Sequence, residues 1–452
     1  MLTEDDLNEL LPELESFHAR FGRCFPRSES RRWGQRYVAG LMLPIERKNV
    51  ENLAERIGAP TRRLQQFVSE SPWDDDGCIE ELQRLVGEEI GEAGGVLVID
   101  DTGFAKKGKH SAGVGRQYSG TLGRVDNCQI GVFLGYASKR GHTLVDRRLY
   151  LMEGWFGEPG RESARAGLPG GIEFMTKLEL AREMVWAATE AGDLTYRWVT
   201  ADAGYGESHD LRREVAKLGR WYCFEVRAQA EVWSEDPDWQ VPPGSGRGRP
   251  PSRPRPEPGS AKSCTVSEVV AALPERAWVR HRVTEGAKGP REYEFARVRV
   301  VEKWHKRIGP EAWVMARRGV GGEKREVKYY LSNAPERVSL REMAWVGCLR
   351  WTIEENFELA KGELGLDHYE VTKHRGWYHH VTLALMALAF LKLVQRGWAG
   401  KKPARQRAGD PSTPGGRPAP RGVEPSRRHR LVPRPAAPEA GCSAQPPTPL
   451  VA

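Results

Sequence analysis

Long apolar runs, paired cysteines and nucleotide-binding glycine motifs are missing from this 452-residue chain, and each absence excludes a class of function. No uninterrupted apolar stretch approaches the roughly 18 residues that a membrane-crossing helix requires, so no membrane partner is expected. The opening from Met1 to Leu7 is acidic and lacks a signal-peptide core, which points to a soluble cytoplasmic, nucleoid-associated protein. Seven cysteines (24, 78, 128, 223, 264, 348 and 442) are scattered without a C-x2-C pair. They read as reduced thiols rather than as a disulfide framework or a zinc ribbon. There is no Walker A segment, and the glycine-rich stretches lack the strand–loop–helix setting of a dinucleotide site. His374, His379 and His380 have no cysteine or glutamate spaced to complete a zinc shell.

Positive charge is present, but it is local. The net charge is +8, from 69 Lys and Arg against 61 Asp and Glu. Residues 401–452 hold ten Lys and Arg against three Asp and Glu, which leaves the body before them close to neutral. Residues 20–65 hold eleven against four. Concentrated patches of this kind are what phosphate neutralisation needs.

Three acids stand out by position. The apolar run Gly95–Ile99 ends in Asp100 and Asp101, and the run Trp198–Ala201 ends in Asp202, with Gly204 and Gly206 after it. In α/β sheets ligands bind outside the carboxyl ends of strands, so these acids face a crevice; each could equally be a polar turn residue. The third is Glu354. At about 100° per residue, Arg350, Glu354 and Lys361 share one narrow helical strip beside an apolar strip of Leu349, Ile353, Phe357, Ala360 and Leu364. A helix packed on a core with a carboxylate between two cations offers a charged rim for metal and phosphate; the alternative is an ordinary surface helix with i,i+4 and i,i+7 pairs. Together the acids, in the order Asp, Asp, Glu, supply the oxygen ligands of two-metal phosphoryl transfer.

Arg350, Glu354 and Lys361 match the last three positions of a Y-x2-R-x3-E-x6-K pattern. On these residues the chain resembles bacterial insertion-sequence transposases of the DDE superfamily, in the group with a β insertion in an RNase H-like domain. The tyrosine position is Gly347 here. Asp101 before Thr102 resembles the family's first acid, with Asp100 the alternative, because neighbouring strand residues face opposite ways. Ala201-Asp202 with Gly204, Tyr205 and Gly206 resembles the second acid's turn. The resemblance covers roughly residues 90–395. It implies an α/β fold: an RNase H-like mixed sheet with a β-rich insertion, preceded by an all-helical N-terminal domain. It implies Asp101, Asp202 and Glu354 as catalytic residues and ligands of two Mg²⁺ ions, with Mn²⁺ able to substitute. Arg350 and Lys361 would contact backbone phosphates. The reaction would be cleavage at the ends of a mobile element and strand transfer into target DNA, by a homodimer on double-stranded DNA. A hairpin route would flip a base onto an aromatic, with Trp304 or Trp313 as candidates. A nuclease without strand transfer and an inactive DNA-binding relative share the same fold and stay open.

The rest of the chain divides by pattern. Residues 1–90 read as helical; Ile45–Ile57, a Gly58-Ala59-Pro60 break and a second helix capped by Thr61 and carrying Arg62 and Arg63 resemble a DNA-reading helix-turn-helix. Residues 92–232 form the first part of the catalytic domain. Strands at Gly95–Asp100, Gln129–Tyr136 and Thr143–Leu151 are followed by helix Thr176–Ala191, strand Arg197–Ala201, helix His209–Leu218 and strand Trp221–Val226. A basic loop at 105–125, with Lys106 and Lys107, is placed to meet a DNA backbone. A disordered Pro/Arg/Gly linker at 233–262 leads to a β-rich insertion at 263–335. Residues 336–398 complete the catalytic domain with the Glu354 helix and an apolar helix at His380–Val394. Residues 399–452 read as a disordered basic tail.

Overall fold

The computed structural model describes residues 9–156, 166–243, 252, 254–257, 259–260, 262–286, 289–304, 307–321 and 326–401. The expected disordered linker falls partly outside them, and the expected basic tail almost wholly so.

Among the described residues, five α-helices come first: α1 Leu11–Ala19, α2 Ser28–Met42, α3 Val50–Arg56, α4 Thr61–Ser69 and α5 Asp75–Ile90. Strands β1 Val96–Ala105, β2 Gly115–Ser119, β3 Arg124–Ser138 and β4 Gly141–Tyr150 follow. Then come α6 Lys177–Ala191, β5 Trp198–Ala201, the single turn α7 Ala203–Gly206, α8 His209–Lys217 and β6 Trp221–Val226. The middle of the chain gives β7 Glu231–Trp233, β8 Trp239–Gln240, β9 Arg255–Pro256, β10 Ser263–Thr265 and α9 Val266–Ala271. Strands β11 Val279–Gly286, β12 Gly289–Trp304, β13 Arg307–Gly319 and β14 Val327–Ser332 lead to α10 Leu340–Cys348, α11 Arg350–Leu364 and α12 His374–Lys401.

Strands β1, β3 and β4 are antiparallel neighbours, while β5 lies parallel to β1 and β6 parallel to β5. Parallel neighbours need a crossover, and α6 and α8 supply the connections into β5 and β6. Helix α6 starts on a capping box in which Thr176 and Glu179 satisfy each other's backbone N–H groups. The insertion does not stand apart as its own block. Strand β14 pairs antiparallel with β6, so β12, β13 and β14, with β7, β10 and β11 beyond them, prolong the central sheet to twelve strands. Inside the expected linker, β8 and β9 pair as a separate two-stranded ribbon.

The N-terminal helices share one apolar core with the sheet instead of forming a body of their own. They close around α12: Phe17 meets Phe390 with ring centres 5.3 Å apart, Trp73 stacks on His379 at 3.9 Å, and the Tyr37 hydroxyl bonds His380 at 2.9 Å. Burial lowers the pKa of both histidines to about 3, so they are neutral core residues. By length and composition α12 could cross a membrane, contrary to the reading of the apolar runs, yet 78% of its apolar window is buried inside the protein. It is the central core helix. In the N-terminal pair, Asn49 caps α3, Gly58 takes φ 61°, and Pro60 rather than Thr61 stands at the α4 cap position.

Candidate active site

Register decides which acids meet. In the parallel pair β1–β5 Ile99 lies opposite Ala201, and in β5–β6 Ala201 lies opposite Phe224. One residue beyond that row, Asp100 stands in the middle of β1, Asp202 directly follows the end of β5, and Glu225 is next to last in β6.

The helix bearing Glu354 covers the Asp100 side of the sheet. Phe133, the cross-strand partner of Asp100, packs on Phe357 of α11 with ring centres 5.3 Å apart. Arg350 opens α11 and reaches over the row: its guanidinium lies 3.4 Å from Asp100 Oδ2, 2.6 Å from Glu354 Oε1 and 3.8 Å from Glu225 Oε2. Burial, followed by the charge of Asp202, pushes the Asp100 carboxyl up to about 7, and Arg350 only partly offsets this. Burial also raises the Asp202 carboxyl, while backbone N–H groups at its own helix cap pull the other way. Asp202 caps α7 by accepting from Tyr205 N at 3.2 Å. The glycines after it serve close packing: a Cβ on Gly206 would lie 2.0 Å from the Glu225 carbonyl oxygen.

Asp101 occupies the opposite face. Both its oxygens lie 3.2 Å from Lys177 Nζ at the start of α6, and it accepts from the Tyr205 hydroxyl at 3.0 Å. The geometry therefore sets Asp100, the alternative first acid, beside Asp202 and Glu354, and turns Asp101 away from Glu354.

The expected DNA contacts divide. Arg62 and Arg63 are exposed on α4, and Lys107 is exposed after β1. Lys106 is not free: its ammonium donates to the Tyr369 carbonyl at 2.9 Å and sits 3.5 Å from the Tyr369 ring, and burial lowers its pKa to about 8. Lys361 is similarly held, donating to Thr102 Oγ1 at 2.8 Å and the Gly103 carbonyl at 2.9 Å. It joins α11 to β1 instead of facing solvent with open donors.

The helix expected to run through the whole pattern breaks at Leu349, which ends α10 and caps α11. Gly347 lies on α10, where a Cβ would meet Met315 Cε at 2.9 Å and the Tyr330 ring at 3.3 Å. Tyr330 pairs with Glu225 across β14 and β6, so a tyrosine from the sheet fills the space over this position. A 190 Å³ cavity beside Glu354 is lined by Tyr293, Arg317, Lys328, Tyr330, Arg350 and Trp351. Neither expected tryptophan lines it: Trp313 donates to the Ala334 carbonyl and Trp304 to Glu302. A larger cavity of 1050 Å³, beside Asp76, Arg147 and His374, contains none of the three acids.

Among the described residues no three Asp, Glu, His or Cys side chains stand together as a ready metal-binding group. Arg350 lies between Asp100 and Glu354 and bonds both. The donors nevertheless suit a hard divalent cation: all are carboxylate oxygens, and burial raises both the Asp100 and Asp202 carboxyls, a cost to their charged forms that such a cation would offset. Glu225 went unnoticed in the sequence, although it stands near the carboxyl end of a strand; β1, by contrast, runs on to Ala105, past the strand end expected at Asp100.

A mixed sheet with carboxylates from two strands and a helix gathered under one guanidinium is a construction that suits an α/β enzyme acting on phosphate esters. Residues 20–290 match the family model described as DDE superfamily endonuclease, and the chain belongs to that family. The match covers Asp100 and Asp202 and stops before Glu354. The chain is similar to a probable transposase for insertion sequence element IS701 from Microchaete diplosiphon, 32% identical over 170 residues. That stretch spans 37% of this chain and 41% of the relative. It also has a likeness to a solved piggyBac transposase synaptic complex with hairpin DNA, with a TM-score of 0.39, 9% identity, and 84% of this chain and 69% of the other covered. A likeness at that level carries no argument.

Proposed function

We propose that this chain is a DNA transposase, cutting the ends of its own mobile element and joining them to target DNA, with Asp100, Asp202 and Glu354 as its acids. One observation carries the reading: Arg350 touches both Asp100 and Glu354, and Asp202 directly follows Ala201, the β5 partner of Ile99. The strand order β4-β3-β1-β5-β6, with the first three antiparallel and the last three parallel, supports an RNase H-like domain that the insertion prolongs.

Two Mg²⁺ ions, when bound, would activate the attacking oxygen and stabilise the leaving one. Asp100 and Asp202 would hold them, and Glu354 would join once Arg350 turns to a phosphate oxygen. Asp100 must first lose the proton that its burial favours. Arg350, already placed by three carboxylates, then neutralises the phosphate next to the scissile bond. Asp101 stays outside the reaction: with Lys177 it fixes the Tyr205 ring, and Tyr205 N–H orients Asp202. Arg62, Arg63 and Lys107 contact DNA backbone away from the acids. Two element ends in one complex call for a homodimer on DNA.

The test is incubation of purified protein with labelled duplex ends from the DNA flanking its coding sequence, a target plasmid and Mg²⁺. Joined product is expected. Cleavage without joining would make it a nuclease, and a gel shift alone would make it an inactive binder.

A further inference from the structure

We infer that the β2–β3 ribbon is a DNA-contacting lip of the active site, with Tyr118 as its stacking residue; this rests on the transposase reading. The ribbon curls back over β1. Ser119 is fully buried against Gly103, where a Cβ would lie 2.1 Å from Ser119 Oγ. At the tip, Thr121 Oγ1 lies 3.2 Å from Thr102 Oγ1, accepts from Gly103 N at 3.3 Å and lies 3.4 Å from Lys361 Nζ. Thr102 is two residues beyond Asp100, and Lys361 is two turns, about 10 Å, along α11 from Glu354. A ribbon fastened at these points is fixed next to the acids.

Among the described residues, its outer face stays open to solvent at Tyr118 and Val125. Tyr118 and Val125 are cross-strand partners and therefore project together, 62% and 52% exposed, with Leu122 at the turn 36% exposed. Arg116, two residues before Tyr118 on the same face, is exposed, as are Lys107 and Lys109 nearby, while Arg124 is paired with Asp126 of the same ribbon at 2.8 Å. An apolar platform of this size rimmed by cations is costly to leave in water and complements a stack of bases or sugars between phosphates. A two-stranded ribbon also fits the width of a DNA groove. The rim's positive charge favours DNA over a second copy of this chain, whose corresponding rim would repel it.

The experiment measures binding of the full-length protein, without metal, to a fluorescent duplex taken from the DNA flanking its coding sequence. Tyr118→Ala should weaken binding by about tenfold, and Tyr118→Trp should keep it within about twofold. Circular dichroism melting should be unchanged by either, since the side chain is exposed. A photoreactive phenylalanine at position 118 should crosslink to the DNA strand. Equal affinity of Tyr118→Ala and the parent, a crosslink to another protein copy, or no binding by the parent would each overturn the inference. Because binding is read without metal, a parent that binds through Tyr118 but never cleaves defeats the transposase reading alone. Full cleavage with Tyr118→Ala at parental affinity defeats this inference alone.

Discussion

On one face of β1, Asp100 looks toward Arg350, Asp202 and helix α11; on the other, Asp101 looks toward Lys177 and Tyr205. The two residues are chemically identical and adjacent, so the difference comes entirely from what each face supplies. Asp101 meets a cation and a hydroxyl, and its charge is satisfied within the fold. Asp100 is buried beside another carboxylate, and its carboxyl is held at about 7. Arg350 offsets only part of the cost of burying Asp100 beside Asp202, and a further cation would offset more, which is how metal sites on carboxylates are commonly built. Of the two aspartates, only Asp100 shares the Arg350 guanidinium with Glu354.

The sharpest way to break this contrast is to change one aspartate at a time. Asp100→Asn should lower end cleavage by on the order of a thousandfold or more, as loss of a group that acts in the transition state does. Asp101→Asn should keep cleavage within about tenfold, the size of one or two lost hydrogen bonds. Quantified single-turnover cleavage of labelled ends gives both numbers, and the reverse order would move the reaction to the Lys177 face.

A smaller effect sharpens the electrostatic half. Because the Asp100 carboxyl is raised in the folded state, the folded protein binds more protons than the unfolded chain between about pH 4 and 7. Its contribution to stability is therefore greatest below pH 4 and declines as pH rises to about 7. Asp100→Asn should raise the melting temperature at pH 8 by roughly a few degrees and have little effect at pH 4. Mg²⁺ should restore part of the parent's loss at pH 8 and do little for the variant. Calorimetry at the two pH values checks this; equal shifts at both would show that Asp100 does not titrate in this range.

The smallest effect belongs to the other face. Tyr205→Phe removes the hydroxyl that binds Asp101 but keeps the ring and the backbone N–H that orients Asp202. A loss of about threefold to tenfold in the cleavage rate is expected, with a raised Mg²⁺ requirement and unchanged DNA affinity. Abolition of cleavage would make Asp101's surroundings catalytic.

Much of this architecture is legible from local pattern. The strand at Trp221–Val226 falls where alternation places it, and the Thr176–Glu179 capping box marks the start of α6. Strand positions and the three acidic regions depend on nearest neighbours in sequence, so they can be read there. Which of Asp100 and Asp101 meets Arg350 cannot, because that contact joins side chains 250 residues apart in sequence. The same holds for Lys106 and Lys361, whose ammonium groups are captured by a carbonyl and a hydroxyl 263 and 259 residues away. Gly347 looks like a defect in a motif until Tyr330 is seen to occupy the space above it. The insertion reads as a separate block because nothing in its alternation shows that β14 will pair with β6.

The central claim, that Asp100 rather than Asp101 joins Asp202 and Glu354 in one metal-dependent site, is tested most directly by locating Mn²⁺ through its anomalous scattering in crystals of the protein with end DNA. The account predicts a peak shared by the Asp100 and Asp202 carboxylates at about 2.2 Å, on the side covered by α11, with Arg350 moved to a phosphate. A peak on Asp101 with Lys177 displaced would contradict it.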